Sequence, residues 1–347
     1  MGILRLFLAL SVVLAHSGGL FGFQLLGGQI AVEIFFIISG FYIAFILDKN
    51  YQFRLKNFYY NRFLRIVPLY LLVFIICLSV DFFLIQINLI PAFSPSFWRN
   101  WAEFSIIQKI TILFSNLFIY GQDIFYFLNY TKLDGFYGST SLNNPAYQFL
   151  FITTAWSLSL EEWYYMIIPL IYNFRKLLIY LFFGFLSIKF CTLYYDLSDP
   201  WSYRFVLSEF SLFIMGILMY RFGNKIPKIH ISLSIILIIC SVLVYNNLKN
   251  NIIYFLIVII NSISINSLFE KFRENKEDRI IGEYSYPLYL VHYPVIVILN
   301  YLNLDLFSLN KTVFSVCVII FSFICANLLL KFQIPIERIR DRLRSEL

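Results

Sequence analysis

Three stretches of this chain set ionisable and hydroxyl side chains at helical spacing within otherwise apolar sequence. Arg5, Ala9, Val12 and His16 follow one another at steps of four, three and four, so a helix through them carries a guanidinium and an imidazole on one face. Ser157, Glu161 and Tyr165, within "AWSLSLEEWYY", form an i, i+4, i+8 row of hydroxyl, carboxylate and phenol. Ser285, Tyr289 and His292, within "GEYSYPLYLVHYP", repeat the device at steps of four and three. Glu33 adds a further carboxylate in "GGQIAVEIFFIISGF". Arg62 and Arg65, three apart in "NRFLRIVPLY", supply paired guanidinium groups of the kind that grip phosphate oxygens bidentately, as a phosphate-bearing cytosolic donor would require. Imidazoles and carboxylates held this way serve acid–base catalysis, and they also line transport routes through membranes.

The elements that must position them follow from composition. The chain is 60% hydrophobic and 20% aromatic but only 14% charged, with a mean hydropathy of +0.76, which is the composition of a polytopic membrane protein. Apolar stretches of spanning length fall at 3–22, 29–47, 66–90, 158–174, 177–195, 203–222, 230–248, 251–269, 283–302 and 311–333. They predict an all-α fold of about ten transmembrane helices. A shorter stretch at 103–120, broken by Lys109 and Asn116, reads as an interfacial or re-entrant helix. With both termini in the cytoplasm, most of the 27 Lys and Arg fall on the inner side, Lys225 and Lys228 among them, while Lys132 and Lys249 fall on the outer side. The net charge of +7 is then an inner-leaflet anchor and calls for no nucleic acid. One integral-membrane domain, 1–347, is expected, with a long outer loop at 91–156 and no appended soluble domain.

Within a bilayer, an ionisable group at a helix centre costs about 2.5 to 3.5 kcal/mol on insertion scales, so each one is a functional candidate by default. A rise of about 1.5 Å per residue puts His16 about 16 Å from Arg5 along the axis and at a depth similar to that of Glu161. The two are expected to meet. Pro287 and Pro294 are expected to loosen and bend the helix that carries His292, and Ser39-Gly40 to allow close helix contact. The bland readings are an interhelical hydrogen bond for His292, an interfacial position for Glu162, and no role for His230. Asp81 is open. Trp98 and Trp101 in the long loop suit either a membrane-interface belt or stacking on sugar rings. The five cysteines are scattered through predicted spans without metal-site spacing.

The ordered set "LRLFLALSVVLAH", "AVEIFFIISGF", "NRFLRIVPLY", "AWSLSLEEWYY" and "GEYSYPLYLVHYP" resembles the membrane acyltransferase-3 family, the bacterial polysaccharide O-acetyltransferase type. The likeness runs from residue 3 to about 340. It implies transfer of an acetyl or other short acyl group from acyl-CoA, a co-substrate and not a resident cofactor, to a hydroxyl of an envelope glycan such as lipopolysaccharide, capsule or exopolysaccharide. It also implies the bacterial inner membrane. By the same resemblance, His16, Glu161 and His292 match catalytic positions, and Arg5, Arg62 and Arg65 match donor-binding positions. Ser285 and Tyr286 match the late Ser-Tyr positions; Glu33, Ser157, Tyr165 and Tyr289 are supporting candidates from their own helical positions, and no metal site is expected. On this reading His16 is general base or transient acyl carrier, Glu161 orients its imidazole, and His292 with Tyr289 holds the thioester carbonyl or stabilises the developing oxyanion. Glu33, where relatives carry Asp, and Trp163-Tyr164-Tyr165 after the paired Glu depart from the family pattern and bear on substrate fit. A transporter or flippase for a glycan-linked or small solute is the alternative, though no inverted repeat is visible. A third reading is a non-catalytic membrane partner in a glycan assembly complex.

Overall fold

A computed structural model describes residues 1–51, 54–131, 135–138, 144–223, 229–248, 250–302 and 310–345. Lys132, Lys225, Lys228 and Lys249 lie outside the described residues, as does much of the Gly-, Asn- and Ser-rich stretch 133–145. A helix forms at each of the ten predicted stretches. These are α1 (Gly2–Ser17), α2 (Gly27–Ile46), α3 (Leu55–Gln86), α6 (Trp156–Ile171), α7 (Arg175–Tyr194), α8 (Val206–Arg221), α9 (Ile231–Asn247), α10 (Asn251–Phe272), α12 (Ser285–Tyr301) and α13 (Lys311–Ser345). Shorter helices α4 (Pro95–Asn100), α5 (Ile106–Phe118) and α11 (Lys276–Glu283) lie between them. By length and composition α2, α3, α7, α10 and α13 can each cross a membrane, and α1, α5 and α9 are shorter apolar helices. The molecule is a helical membrane protein.

Four local expectations are corrected. Helix α1 stops at Ser17, not near residue 22, because Gly18 turns left-handed at φ 101° and donates its N–H to the Leu14 carbonyl. Helix α3 begins at Leu55, so Arg62 and Arg65 ride on the helix itself and do not precede it. Pro287 falls in the first turn of α12, where no intrahelical N–H bond is lost, leaving Pro294 as the interior proline. The fold is also not purely helical: β1 (Leu128–Thr131) and β2 (Gly135–Gly138) pair antiparallel, with Tyr130 opposite Phe136.

Helix α2 is the central post, packed against α1, α8 and α10. Its contact with α8 is made by reciprocal glycines. A Cβ on Gly40 would stand 1.9 Å from the Phe213 carbonyl oxygen, and one on Gly216 would stand 2.0 Å from that of Ile37. Lipid is as apolar as leucine, so helix association here depends on such close approach. Gly40→Ala is therefore expected to lower stability by about 1–3 kcal/mol through overpacking. A detergent thermal-melting midpoint unchanged by the substitution would contradict this packing.

Near the α3–α4 junction, Asp81 accepts hydrogen bonds from the N–H groups of Ala92, Phe93 and Ser94 and from the Trp98 indole. Asp81 is thus a structural clasp for the 91–156 segment. Trp98 and Trp101, both half-buried, pack with Phe97, Phe104, Tyr130 and Phe149 into an aromatic cluster. Helix α5, capped by Ser105 and Gln108, presents Ile106, Ile107, Ile110 and Phe114 outward, as an interfacial helix would.

Helix α1 is anchored at its other end. The Asp278 carboxylate of α11 accepts the Gly2 and Ile3 amides at 2.6 and 2.9 Å, capping the positive end of the helix in trans. Burial would push the Asp278 carboxyl up, but these amides outweigh it and hold it below its ordinary range. A Cβ on Gly2 would collide with the Asp278 backbone, so only glycine permits this seating.

Candidate active site

The fold gathers five helices around one cavity. It is lined by Arg5 of α1, by Ser39 and Tyr42 of α2, by Arg62 and Arg65 of α3, by Ser157, Glu161 and Tyr165 of α6, and by Ser285, Tyr286 and Tyr289 of α12. Nine residues marked from the sequence thus meet in one place. The i, i+4, i+8 row on α6 faces the cavity as a unit.

Charge is unequal within it: three guanidinium groups face the single carboxylate of Glu161. Arg5 donates to Ser285 Oγ at 2.9 Å, and Ser285 in turn donates to the Gly282 carbonyl at 2.7 Å. Ser285 is therefore a strut for Arg5 and has no free proton for chemistry. Arg62, 6% exposed, lies over the rings of Phe58 and Tyr165. Glu161 accepts from Ser39 Oγ and from Tyr165 OH, both at 2.6 Å. Tyr286 reaches across to the Ile66 carbonyl at 2.7 Å and ties α12 to the arginine-bearing helix.

At the far end of the cavity, Tyr289 donates its hydroxyl proton to the Thr154 carbonyl at 2.8 Å. It must then accept from Ser157 Oγ, 2.6 Å away. The Tyr289 ring is also 5.6 Å from that of His292, so it stands between the cavity and the histidines.

There His16 and His292 form a pair. His16 Nδ1 lies 2.9 Å from His292 Nε2, with the rings nearly parallel. His292 Nδ1 is 2.5 Å from the Tyr289 carbonyl, which can only accept. A neutral His292 therefore carries its proton on Nδ1 and accepts at Nε2, and His16 must donate from Nδ1. The lone pair of His16 is left on Nε2. His292 is fully buried while His16 is exposed, so the free nitrogen belongs to the accessible ring.

Two expected roles are corrected by this geometry. Glu161 does not orient His16: its oxygens are engaged by Ser39 and Tyr165, and His16 is engaged by His292. The shared depth inferred from sequence assumed a longer α1; with the helix ending at Ser17, His16 is its penultimate residue, whereas Glu161 sits in the second turn of α6. His292 and Tyr289 do not offer donors to a thioester carbonyl, because both protons are committed to backbone carbonyls.

Glu33 lies outside the cavity. It pairs with Lys189 at 2.9 Å, and Lys189 also binds Glu209 at 2.7 Å and the Ser202 carbonyl at 2.9 Å, all buried between α2, α7 and α8. Glu162 does not reach an interface; it is 6% exposed, and its Oε2 has no hydrogen-bond partner among the described residues. Ser39 and Tyr42 were missed as site residues, although Val32, Phe35, Ser39 and Tyr42 follow at steps of three, four and three and line the cavity together.

The profile of a family described as an acyltransferase domain, acyltransferase-3, matches residues 1–331. The chain is 27% identical over 334 residues to the O-acetyltransferase OatA of Staphylococcus aureus (strain NCTC 8325 / PS 47), covering 86% of this chain and 50% of the relative. It is 29% identical over 148 residues to the peptidoglycan O-acetyltransferase OatA of Listeria monocytogenes serovar 1/2a, covering 41% of this chain and 19% of the relative. The chain thus spans about half the length of the S. aureus relative. No solved structure matches it significantly.

Proposed function

The chain belongs to the acyltransferase-3 family, and from that premise we propose that it is an O-acetyltransferase of an exported envelope glycan. Its donor is acetyl-CoA or another short acyl-CoA. About ten helices cross the bacterial inner membrane, with both termini in the cytoplasm. One observation carries the reading: a cationic cavity at the Arg5, Arg62 and Arg65 level extends to Tyr289, whose ring is 5.6 Å from that of His292 in the histidine pair, with Arg5 and His16 about 16 Å apart along α1. A donor held by its phosphates on one side can thereby present a thioester to a base that is open on the other.

In this scheme Arg62 and Arg65, with Arg5 braced by Ser285, hold the phosphates of CoA. Glu161 keeps Tyr165 and Ser39 aligned along the thioester arm. The arm passes Tyr289 and Ser157 to reach the histidines. His16 Nε2 takes the proton of the acceptor hydroxyl as its oxygen attacks the thioester carbonyl, and His292 fixes the required tautomer. The C–S bond then breaks, and the departing thiolate takes the proton from His16. Peptidoglycan is an acceptor to test first, given the printed name of the Listeria relative; capsule, exopolysaccharide and lipopolysaccharide are tested beside it.

The test is mass spectrometry of envelope glycans from cells with and without the chain, in hosts that supply each acceptor. An added, base-labile acyl mass that appears only with the chain supports the reading. Absence of that mass in every host would remove it. Arg62→Gln and Arg65→Gln are each expected to raise KM for acetyl-CoA about tenfold or more, with a smaller effect on kcat, because each removes a charge-assisted contact worth about 1.5–3 kcal/mol. A kcat loss at unchanged KM would place these arginines elsewhere in the reaction.

A further inference from the structure

Attack on a thioester turns its carbonyl oxygen into an oxyanion, which calls for a rigid donor beside the base. The neighbours of the histidine pair supply no charged one: His292, Tyr289 and Ser157 each have their proton placed, and Tyr293, edge-on to His16 with ring centres 6.2 Å apart, carries a neutral phenol. Arg204 does have donors to spare. It sits between α7 and α8, its guanidinium carbon 4.3 Å from the ring centres of both Tyr126 and Trp156 and 4.7 Å from that of Tyr203. Nε and Nη2 donate to the two oxygens of Asp199 at 2.6 and 2.9 Å, and Nη2 also donates to Tyr203 OH at 2.7 Å. Nη1 makes no hydrogen bond among the described residues. The side chain is 11% exposed, so it is caged without being sealed.

The cage is coupled to the histidines through the backbone. The Thr153 carbonyl holds the Tyr126 hydroxyl and the Thr154 carbonyl holds that of Tyr289, while Trp156, three and two residues on, forms a wall of the cage. The Tyr289 ring is in turn 5.6 Å from that of His292, which pairs with His16 at 2.9 Å, so one side chain joins this segment to the histidine pair. We propose that Arg204 is a catalytic residue of the acyl-transfer step, its Nη1 edge holding the oxyanion that forms as His16 Nε2 takes the acceptor's proton. The aromatic faces and Asp199 fix the guanidinium in advance, so no reorganisation is needed when the charge develops. As the C–S bond breaks, the oxyanion returns to a carbonyl and Arg204 is left unchanged. This assignment rests on the acetyltransferase reading above.

The experiment uses membranes containing the full chain, [14C]acetyl-CoA, and purified bacterial peptidoglycan or capsule as acceptor. Arg204→Gln is expected to lower kcat about 100-fold, with KM for acetyl-CoA within twofold of wild type. Arg204→Lys is expected to retain part of the rate. Arg204→Ala leaves a guanidinium-shaped space, so millimolar guanidinium chloride is expected to restore transfer without moving the thermal midpoint. The assignment is overturned if Arg204→Gln keeps its kcat. It is equally overturned if the folded Arg204→Ala protein is inactive and unmoved by guanidinium while Arg204→Lys is as inactive as Arg204→Gln. Failure of the wild type to acylate any acceptor would instead strike the functional reading itself.

Discussion

His16→Ala is expected to abolish glycan acylation, and His292→Ala to reduce it by a factor on the order of 100 to 10,000, the usual contribution of a positioned acid–base group. The two effects have different origins. His16 carries the reactive lone pair, so its loss removes the base or the acyl carrier outright. His292 does not contact the acceptor on this geometry; it dictates which nitrogen of His16 bears the proton. Without it, His16 is free to place its proton on Nε2, where the ring can no longer accept one. His292→Gln offers a side-chain oxygen that can still accept from His16 Nδ1, and it is expected to recover part of the loss. Envelope glycans from cells with matched membrane levels of each variant are compared by mass spectrometry. Normal acylation by His16→Ala would end the catalytic assignment and bring the transport reading forward. Equal loss in His292→Ala and His292→Gln would argue that His292 supplies more than a tautomer.

The parts of this arrangement that were legible in sequence are those set by helical periodicity. The rows 157, 161, 165 and 285, 289 share a face because 3.6 residues make a turn, and both rows line the cavity. Arg5 and His16 likewise lie on one helix at opposite ends of the path. What periodicity cannot give is partnership between helices. Whether Glu161 or His292 meets His16 depends on where α1 stops, and that is decided by one left-handed glycine, Gly18. Glu33 shows the same limit, since its apolar surroundings marked it as functional, yet its partner Lys189 is on α7, far off in sequence. Nothing in the local sequence marks Arg204, because the cage around it is assembled from residues 126, 156 and 203. Asp81, open in sequence, is assigned by the three backbone amides and the Trp98 indole that it holds.

Lys189→Met is expected to destabilise the protein by about 3–5 kcal/mol, the usual consequence of removing one partner from a buried ion pair. The lysine is fully buried and neutralises part of a cluster with Glu33 and Glu209, which themselves are 1% and 0% exposed. Without it two carboxyl groups remain in an apolar interior, and the Ser202 carbonyl loses its donor as well. The penalty arises from the orphaned groups and not from the worth of the ion pair, because desolvation offsets most of the attraction between buried charges. The triple change Lys189→Met, Glu33→Gln, Glu209→Gln removes every charge of the cluster and is expected to recover most of the lost stability, read as the thermal midpoint in detergent. It also separates packing from chemistry. Because Glu33 is outside the cavity, the refolded triple variant is expected to acylate glycan at close to the wild-type rate. A triple variant that melts normally but transfers nothing would return Glu33 to the reaction.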